Sequence, residues 1–170
     1  MNTPTRREAV IVDVDGTLCD VSSALYHLPD FAAFHAASRH CPPTASVVAW
    51  CASHVEAGRE LVVVTGRKYR HESVTRAWLA EHLPFPYHGP FMRGDEDSRP
   101  DTEVKAEIAA MLRDDHRFDV VAAIDDRPSV IRLWARDLGI PTTVVYRADW
   151  LGSGEHYDDL TDLPTLEVRA

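Results

Sequence analysis

Four stretches of this chain are nearly continuous in apolar residues, and three of them stop abruptly at charged or hydroxyl side chains. Ala9 to Val12 runs into Asp13-Val14-Asp15-Gly16-Thr17-Leu18. Leu61 to Val64 runs into Thr65-Gly66-Arg67, and Phe118 to Ile124 into Asp125-Asp126-Arg127-Pro128. Thr142 to Tyr146 is the fourth. Short apolar runs bounded by turn residues are the pattern of strands buried on both faces of a parallel sheet. Tyr87 to Arg93 reads as a further short strand, interrupted by Gly89-Pro90.

Helical spacing fills the intervals. Asp30 is placed to cap a helix reaching His40, with Phe31, Phe34 and Ala37 or Ser38 on one face and Cys41-Pro42-Pro43 as its stop. Thr44 is placed to cap the next, to about Ala57, with Val47, Val48, Trp50, Cys51 and Val55 inward and Gly58 ending it. Further helices run from near His71 to His82, from Asp101 or Thr102 to about Asp114, and from Pro128 to Leu138, closed by Gly139. Trp78 and Leu79 on the first of these, and Trp134 on the last, fall at core spacing. Strands alternating with helices predict an α/β protein with a central parallel sheet flanked by helices. Residues 19–43 form a small helical insertion over the mouth of the sheet. Residues 147–170 form a polar tail without periodicity, in which Trp150 and Leu151 are able to dock. The whole, 1–170, reads as a single domain.

In open α/β sheets the ligand crevice lies at the carboxyl ends of the strands. Asp13 and Asp15 emerge there, and in a continuing strand they share a face. Like charges so close are costly without a cation. Alone, D-x-D-G is equally a strand entering a polar turn. Three strands ending in Asp13/Asp15, Thr65/Arg67 and Asp125/Asp126, with Lys105 on a helix between the last two, are a different matter. Carboxylates among Asp13, Asp15, Asp125 and Asp126 make a hard oxygen cage that suits Mg²⁺. One aspartate can attack phosphorus, a second can move the proton, and hydroxyl and ammonium groups can hold the phosphoryl oxygens.

Composition narrows the setting. A net charge of −9 argues against broad electrostatic binding to duplex nucleic acid, though not against a small basic cleft for one strand end. Cys19, Cys41 and Cys51 are odd in number and lack a C-x-x-C spacing, which points away from a disulfide framework or zinc and toward a reducing cytoplasm. The polar stretch Met1 to Glu8 is no signal peptide, and no apolar run reaches the roughly 18 residues of a membrane span. No G-x-x-x-x-G-K-[ST] loop is present, so no P-loop kinase is expected.

In order, D-V-D-G-T-L, V-V-V-T-G-R, a helix lysine and A-I-D-D-R-P resemble the four motifs of the haloacid dehalogenase (HAD) superfamily of phosphotransferases, over about Ile11 to Val145. A closer similarity is to the 3′-phosphatase domain of phage-type polynucleotide kinase-phosphatase, carried by Thr65-Gly66-Arg67, the basic follow-on Lys68 to Arg76, Asp101 with Lys105, and Asp125-Asp126-Arg127. The resemblance implies a Rossmann-like fold and Mg²⁺ dependence. It implies Asp13 as nucleophile, Asp15 as general acid/base, and Thr65, Arg67 and Lys105 as the remaining catalytic residues. Asp13, Asp15, Asp125 and Asp126 become metal ligands. Gly16, Thr17, Gly66, Arg67, Lys68, Asp101 and Arg127 become substrate-binding residues. The expected substrate is a 3′-phosphate on a nucleic-acid end or nucleotide, the alternatives being a small-molecule phosphatase such as a 5′-nucleotidase and, from another class, a non-catalytic binding module on the same fold, against which the intact Asp13/Asp15 pair speaks. A stand-alone phosphatase would work beside a separate kinase or ligase.

Other residues carry two readings each. Asp101 is a helix cap or a site residue orienting Lys105 or Arg67. Lys68, Arg70, His71, Arg76, Arg93 and Arg99 are solvated charges or a basic rim for a nucleic-acid backbone. Tyr69 is a surface residue or a stacking platform. Tyr26, His27, His35 and His40 read as surface or packing residues on the insertion.

Overall fold

The apolar runs become strands of one sheet in the computed structural model, which describes residues 6–167. Met1 to Thr5 and Val168 to Ala170, the outer parts of the polar N-terminal stretch and the polar tail, lie outside the described residues. The strands are β1 (Arg7–Val12), β2 (Glu60–Lys68), β3 (Tyr87–Arg93), β4 (Phe118–Asp125), β5 (Thr142–Tyr146) and β6 (Thr165–Glu167). They pair in the order β3-β2-β1-β4-β5-β6, and every pair is parallel. The chain winds outward from β1 to β2 and β3, then returns to β4 on its other side. β1 is therefore flanked by the reversal of strand order at which α/β sheets place their ligands.

The connecting helices are α1 (Phe31–Ser38), α2 (Ala45–Glu56), α3 (Glu72–His82), α4 (Asp101–Asp114) and α5 (Pro128–Arg132). α5 continues through a widened π-helical turn, Leu133–Asp137. Two cores result, one on each face of the sheet. Val10, Val12, Val47, Cys51, Trp78 and Leu79 belong to one, and Ile11, Val62, Ile108, Leu112, Phe118 and Trp134 to the other. Adjacent residues of β1 thus serve opposite faces, which is why its sequence is apolar without alternation.

Several local expectations are altered. β1 ends at Val12, so Asp13 and Asp15 sit on a turn and not on one strand face. Leu18 N–H donates to Asp13 O and Cys19 N–H to Val14 O, while Gly16, at φ +82°, allows the reversal. Asp30 caps α1 as expected, accepting from Ala32 and Ala33 N–H, but Thr44 precedes α2 without a side-chain capping bond. A 3₁₀ helix, Val21–His27, precedes α1 inside the insertion. Phe31, placed by periodicity on the inward face of α1, is exposed. α1 is a short lid element, and its first turn overhangs the crevice. Trp50 is half-buried, with Nε1 donating to Thr143 Oγ1.

The tail differs most. Beyond β5 it forms a 3₁₀ turn (Ala148–Gly152), buries Tyr157 and Leu160 against Ile131 and Val144, and supplies the edge strand β6. The side chain of Leu151 lies outside the described residues. Ion pairs from α5 and the π-helical turn after it strap the segment down: Arg132 to Asp159, and Arg136 to Asp162. Two of the acids that make it read as polar, Asp159 and Asp162, face those arginines, and its inward apolar side chains, Trp150, Tyr157, Leu160 and Leu163, are spaced without a helical or strand period. Leu160 is 1% exposed. Leu160→Ala is expected to lower unfolding stability by about 2–5 kcal/mol in equilibrium urea denaturation. A change below about 0.5 kcal/mol, the level of an ordinary surface substitution, would show that the tail does not contribute to the folded core.

Candidate active site

The end of β1 is placed against the end of β4 by strand register. Val12 pairs with Ile124, and Asp13 N–H donates to Ile124 O at 3.2 Å. Asp13 therefore comes beside Asp125 and Asp126, and all three are buried. One oxygen from each lies within 4.8 Å of the others. Lys105, in the first turns of α4, reaches into this group. Its Nζ donates to Asp13 Oδ1 at 2.8 Å and to Asp125 Oδ2 at 2.7 Å. Burial works against the ammonium, but Asp125, Asp13 and Asp101 raise its pKa above the ordinary lysine value.

One ammonium does not balance three carboxylates. Burial raises the pKa of Asp13 well above the carboxylate range; Lys105 opposes this, and the charges of Asp125 and Asp126 add to it. Asp126 is pushed up to about 7, first by burial and then by Asp125. The excess negative charge and the all-oxygen donor set fit a hard divalent cation.

Each carboxylate is aimed by its neighbours. Asp125 Oδ2 also accepts from Trp134 Nε1 at 3.3 Å, and its Oδ1 accepts from the Arg127 N–H. Trp134 lies in the widened turn after α5, a distortion common at functional positions. Asp126 accepts from Thr17 Oγ1 at 3.1 Å and from Trp150 Nε1 at 2.9 Å, while its backbone carbonyl accepts from Tyr157 OH. Gly16 is needed here, because a Cβ would fall 2.1 Å from Asp126 Oδ2.

Asp15 stands apart from the trio. Arg67 grips both of its oxygens, with Nε donating to Oδ2 at 2.8 Å and Nη2 to Oδ1. Burial alone raises the Asp15 pKa, but the Arg67 charge and hydrogen bonds outweigh it and hold the carboxyl below its usual range. The same guanidinium donates to Ser38 Oγ on α1 and Thr75 Oγ1 on α3, so it joins the lid to the sheet. Thr65 is buried within β2, which runs on through Gly66 and Arg67 to Lys68, and its Oγ1 accepts from the Arg67 N–H.

Asp101 is the first residue of α4 and not its cap; Pro100 holds that position. Its carboxylate accepts from Arg93 Nη2 and from Arg127 Nη1, the latter at 3.0 Å, and it abuts Gly66, where a Cβ would lie 2.5 Å from Oδ1. Lys68 Nζ donates to Asp95 O at 2.6 Å. The predicted basic rim is mostly neutralised. Arg76 pairs with Glu72, Arg99 with Asp97 and Glu107, and Arg93 turns inward to Asp101 and Gly66 O. Among the described residues Arg70 keeps a guanidinium without a hydrogen-bonding partner.

These groups open into a cleft of about 700 Å³. The trio, Lys105, Thr65, Gly66, Arg67, Asp15, Lys68, Asp101 and Arg127 all line it; Tyr69 and Tyr26 do not. Thr17 meets the trio through Asp126. Arg147, Trp150 and Tyr157, which support Asp126, carry no motif in the sequence and come from the tail.

An all-parallel sheet with buried carboxylates, a lysine and a hydroxyl gathered where its strand order reverses defines a phosphatase of the haloacid dehalogenase type. Residues 7–150 match the polynucleotide kinase PNKP phosphatase domain of that group, and the chain belongs to this family. A protein of Autographa californica nuclear polyhedrosis virus, named as a bifunctional polynucleotide kinase/RNA ligase, is 28% identical over 145 residues. That match takes in 84% of this chain but only 20% of the viral protein, so the chain spans about a fifth of its relative. A chain from the Pnkp1/Rnl/Hen1 RNA repair complex superposes with a TM-score of 0.71 at 24% identity, over 87% of this chain and 45% of that one. CbbY from Rhodobacter sphaeroides, solved with xylulose-(1,5)bisphosphate, shares the fold, with a TM-score of 0.58 at 15% identity over 94% and 93% of the two chains.

Lys105→Met leaves Asp13 and Asp125 without their shared cation. In metal-free buffer at pH 7 the substitution is expected to cost about 3–5 kcal/mol of unfolding stability. A loss under about 1 kcal/mol, as for an exposed ion pair, would show that the ammonium does not hold the two carboxylates together.

Proposed function

We propose that this chain is an Mg²⁺-dependent phosphomonoesterase that removes 3′-phosphates from nucleic-acid ends through an aspartyl-phosphate on Asp13. The observation that carries the reading is the convergence of Asp13, Asp125 and Asp126 with Lys105 at the floor of an open cleft. Family membership supports the phosphatase chemistry and the link to polynucleotides. Asp13, Asp125 and Asp126 would hold the metal, which would offset their mutual repulsion and the charge of the phosphate.

An oxygen of Asp13 attacks phosphorus as the ester P–O bond breaks, and the leaving 3′-oxygen takes a proton from Asp15. Water then attacks the acyl-phosphate, Asp15 accepts its proton, and the Asp13 carboxylate leaves with phosphate released. Asp15 cannot donate a proton while both its oxygens are bound to Arg67. A phosphate dianion entering the cleft competes for that same guanidinium, so substrate binding draws Arg67 off Asp15 and frees one oxygen to carry a proton. Thr65 and Lys105 supply donors for the charge on the phosphoryl oxygens. Gly66, Lys68, Asp101 and Arg127 frame the phosphate end. The viral relative's name, which joins a polynucleotide kinase to an RNA ligase, and the RNA repair complex that holds a similar chain support a kinase or ligase acting on the same ends. Among the described residues no helix is long and apolar enough to cross a membrane.

Phosphate release with Mg²⁺ should favour a short 3′-phosphorylated oligonucleotide over a 5′-mononucleotide. Asp13→Asn and Asp15→Asn should each lower kcat by at least about a thousandfold. A preference for the 5′-mononucleotide would move the protein to the nucleotidases and leave the aspartate chemistry standing; a nearly active Asp13→Asn enzyme would sink the mechanism. Without substrate, millimolar Mg²⁺ should raise the unfolding midpoint of the wild type and not that of Asp126→Asn. An equal rise in both would place the metal elsewhere.

A further inference from the structure

The cleft is much larger than a phosphate, and its upper wall is aromatic. Phe31, at the start of α1, is 62% exposed yet lines the cleft. One helical turn on, its ring centroid lies 6.4 Å from that of His35, and His35 in turn lies 4.3 Å from His71, which follows β2. Phe31, His35 and His71 thus form a row along the lining of the cleft, with His35 buried between exposed Phe31 and half-buried His71. Leu25 and Leu28 line the cleft beside it. His35 is 6% exposed, and its Nδ1 has no hydrogen-bonding partner, although burying an unpaired ring nitrogen is costly. Arg70, whose guanidinium has no hydrogen-bonding partner among the described residues, adjoins His71 and lines the same cleft.

Resting on the reading of the site as a 3′-phosphatase, we propose that Phe31, backed by His35 and His71, is a stacking subsite for a terminal base of a single-stranded nucleic acid, and that Arg70 takes the phosphodiester next to the terminal nucleotide. Every base has a π-face, so an aromatic row grips a strand end without reading its sequence. A base must be unpaired to lay that face on the row, so the subsite selects single-stranded over blunt duplex ends. The occupant is argued from charge as well as shape: a strand end is apolar along its bases and anionic along its backbone. The cleft offers the exposed Phe31 ring on α1 and, beside His71, the exposed guanidinium of Arg70, with the phosphate site on the floor. The chain's net charge of −9 gives such a strand no general attraction, which leaves local contacts to hold it.

The test compares kcat/KM for a single-stranded 3′-phosphorylated oligonucleotide with that for p-nitrophenyl phosphate, which has no base. Phe31→Ala should lower this preference ratio about tenfold, and Phe31→Trp should preserve it. Because Phe31 is exposed, neither variant is expected to disturb folding. Arg70→Ala should reduce the steepness of the salt dependence of oligonucleotide binding by about one phosphate contact, measured by anisotropy on the Asp13→Asn protein. A wild-type preference that survives Phe31→Ala unchanged would overturn the stacking subsite alone. A salt dependence unchanged in Arg70→Ala would overturn the role of Arg70. A wild-type enzyme with no preference for the oligonucleotide would overturn the nucleic-acid reading, and the subsite with it.

Discussion

The ion pairing of Lys105 with Asp13 and Asp125 is the constraint on which the rest of the site depends. Three buried carboxylates within ligand distance of one another repel, and no core packs stably around such a group without compensation. The ammonium arrives from α4, so that helix must dock where its first turns reach the junction of β1 and β4. The register of those two strands, Val12 against Ile124, fixes the other half of the contact. The pairing is incomplete by design of the charges: a deficit of positive charge remains, which a divalent cation and an arriving phosphate can share.

Around this centre, arginines make most of the long-range connections. Arg67 ties the β1 turn to α1 and α3 through Asp15, Ser38 and Thr75. Arg93 and Arg127 meet on Asp101 and so fix the start of α4, which carries Lys105. Arg147 ties the tail to Asp20 and Ser22 at the root of the lid while lying 4.0 Å from Asp126. The planar guanidinium, with its five donors, can hold several acceptors at once. Placing the lid, the sheet and the tail on shared arginines couples the mouth of the cleft to its floor. The Arg67–Asp15 contact has the further consequence that a single side chain can sense phosphate and release a proton carrier.

Much of this was legible in the chain. The apolar runs of β1, β2, β4 and β5 and the helices between them follow directly from burial on both faces of a parallel sheet. The ordered motifs around Asp13, Thr65, Lys105 and Asp125 carry the family resemblance in the chain itself. Other features were not legible, for identifiable reasons. Phe31 fits the inward period of α1, but α1 has cleft rather than core beneath its first turn, so periodicity misplaced it. The basic rim looked available because charges are counted singly in a sequence; Arg76 is taken by Glu72 at the i,i+4 spacing of a helix, and Arg93 and Arg99 by partners 8 and 2 residues away that no helical or strand period marks as theirs. Trp150 and Tyr157 support Asp126 from a segment whose acids hid its role.

What the sequence determined by itself is what local chemistry can state: strands that end in carboxylates, a hydroxyl and a lysine, and glycines where the chain must turn or another side chain must pass. What only the tertiary structure decided is which of those charges meet. Asp13 and Asp15 are two residues apart, yet one faces Lys105 and the other faces Arg67, because β1 ends at Val12 and Gly16 turns the chain back on itself. Separation along a chain sets how near two groups can come, but the energy of a charge is set by its neighbours in space, and those come from α4, β4 and the tail.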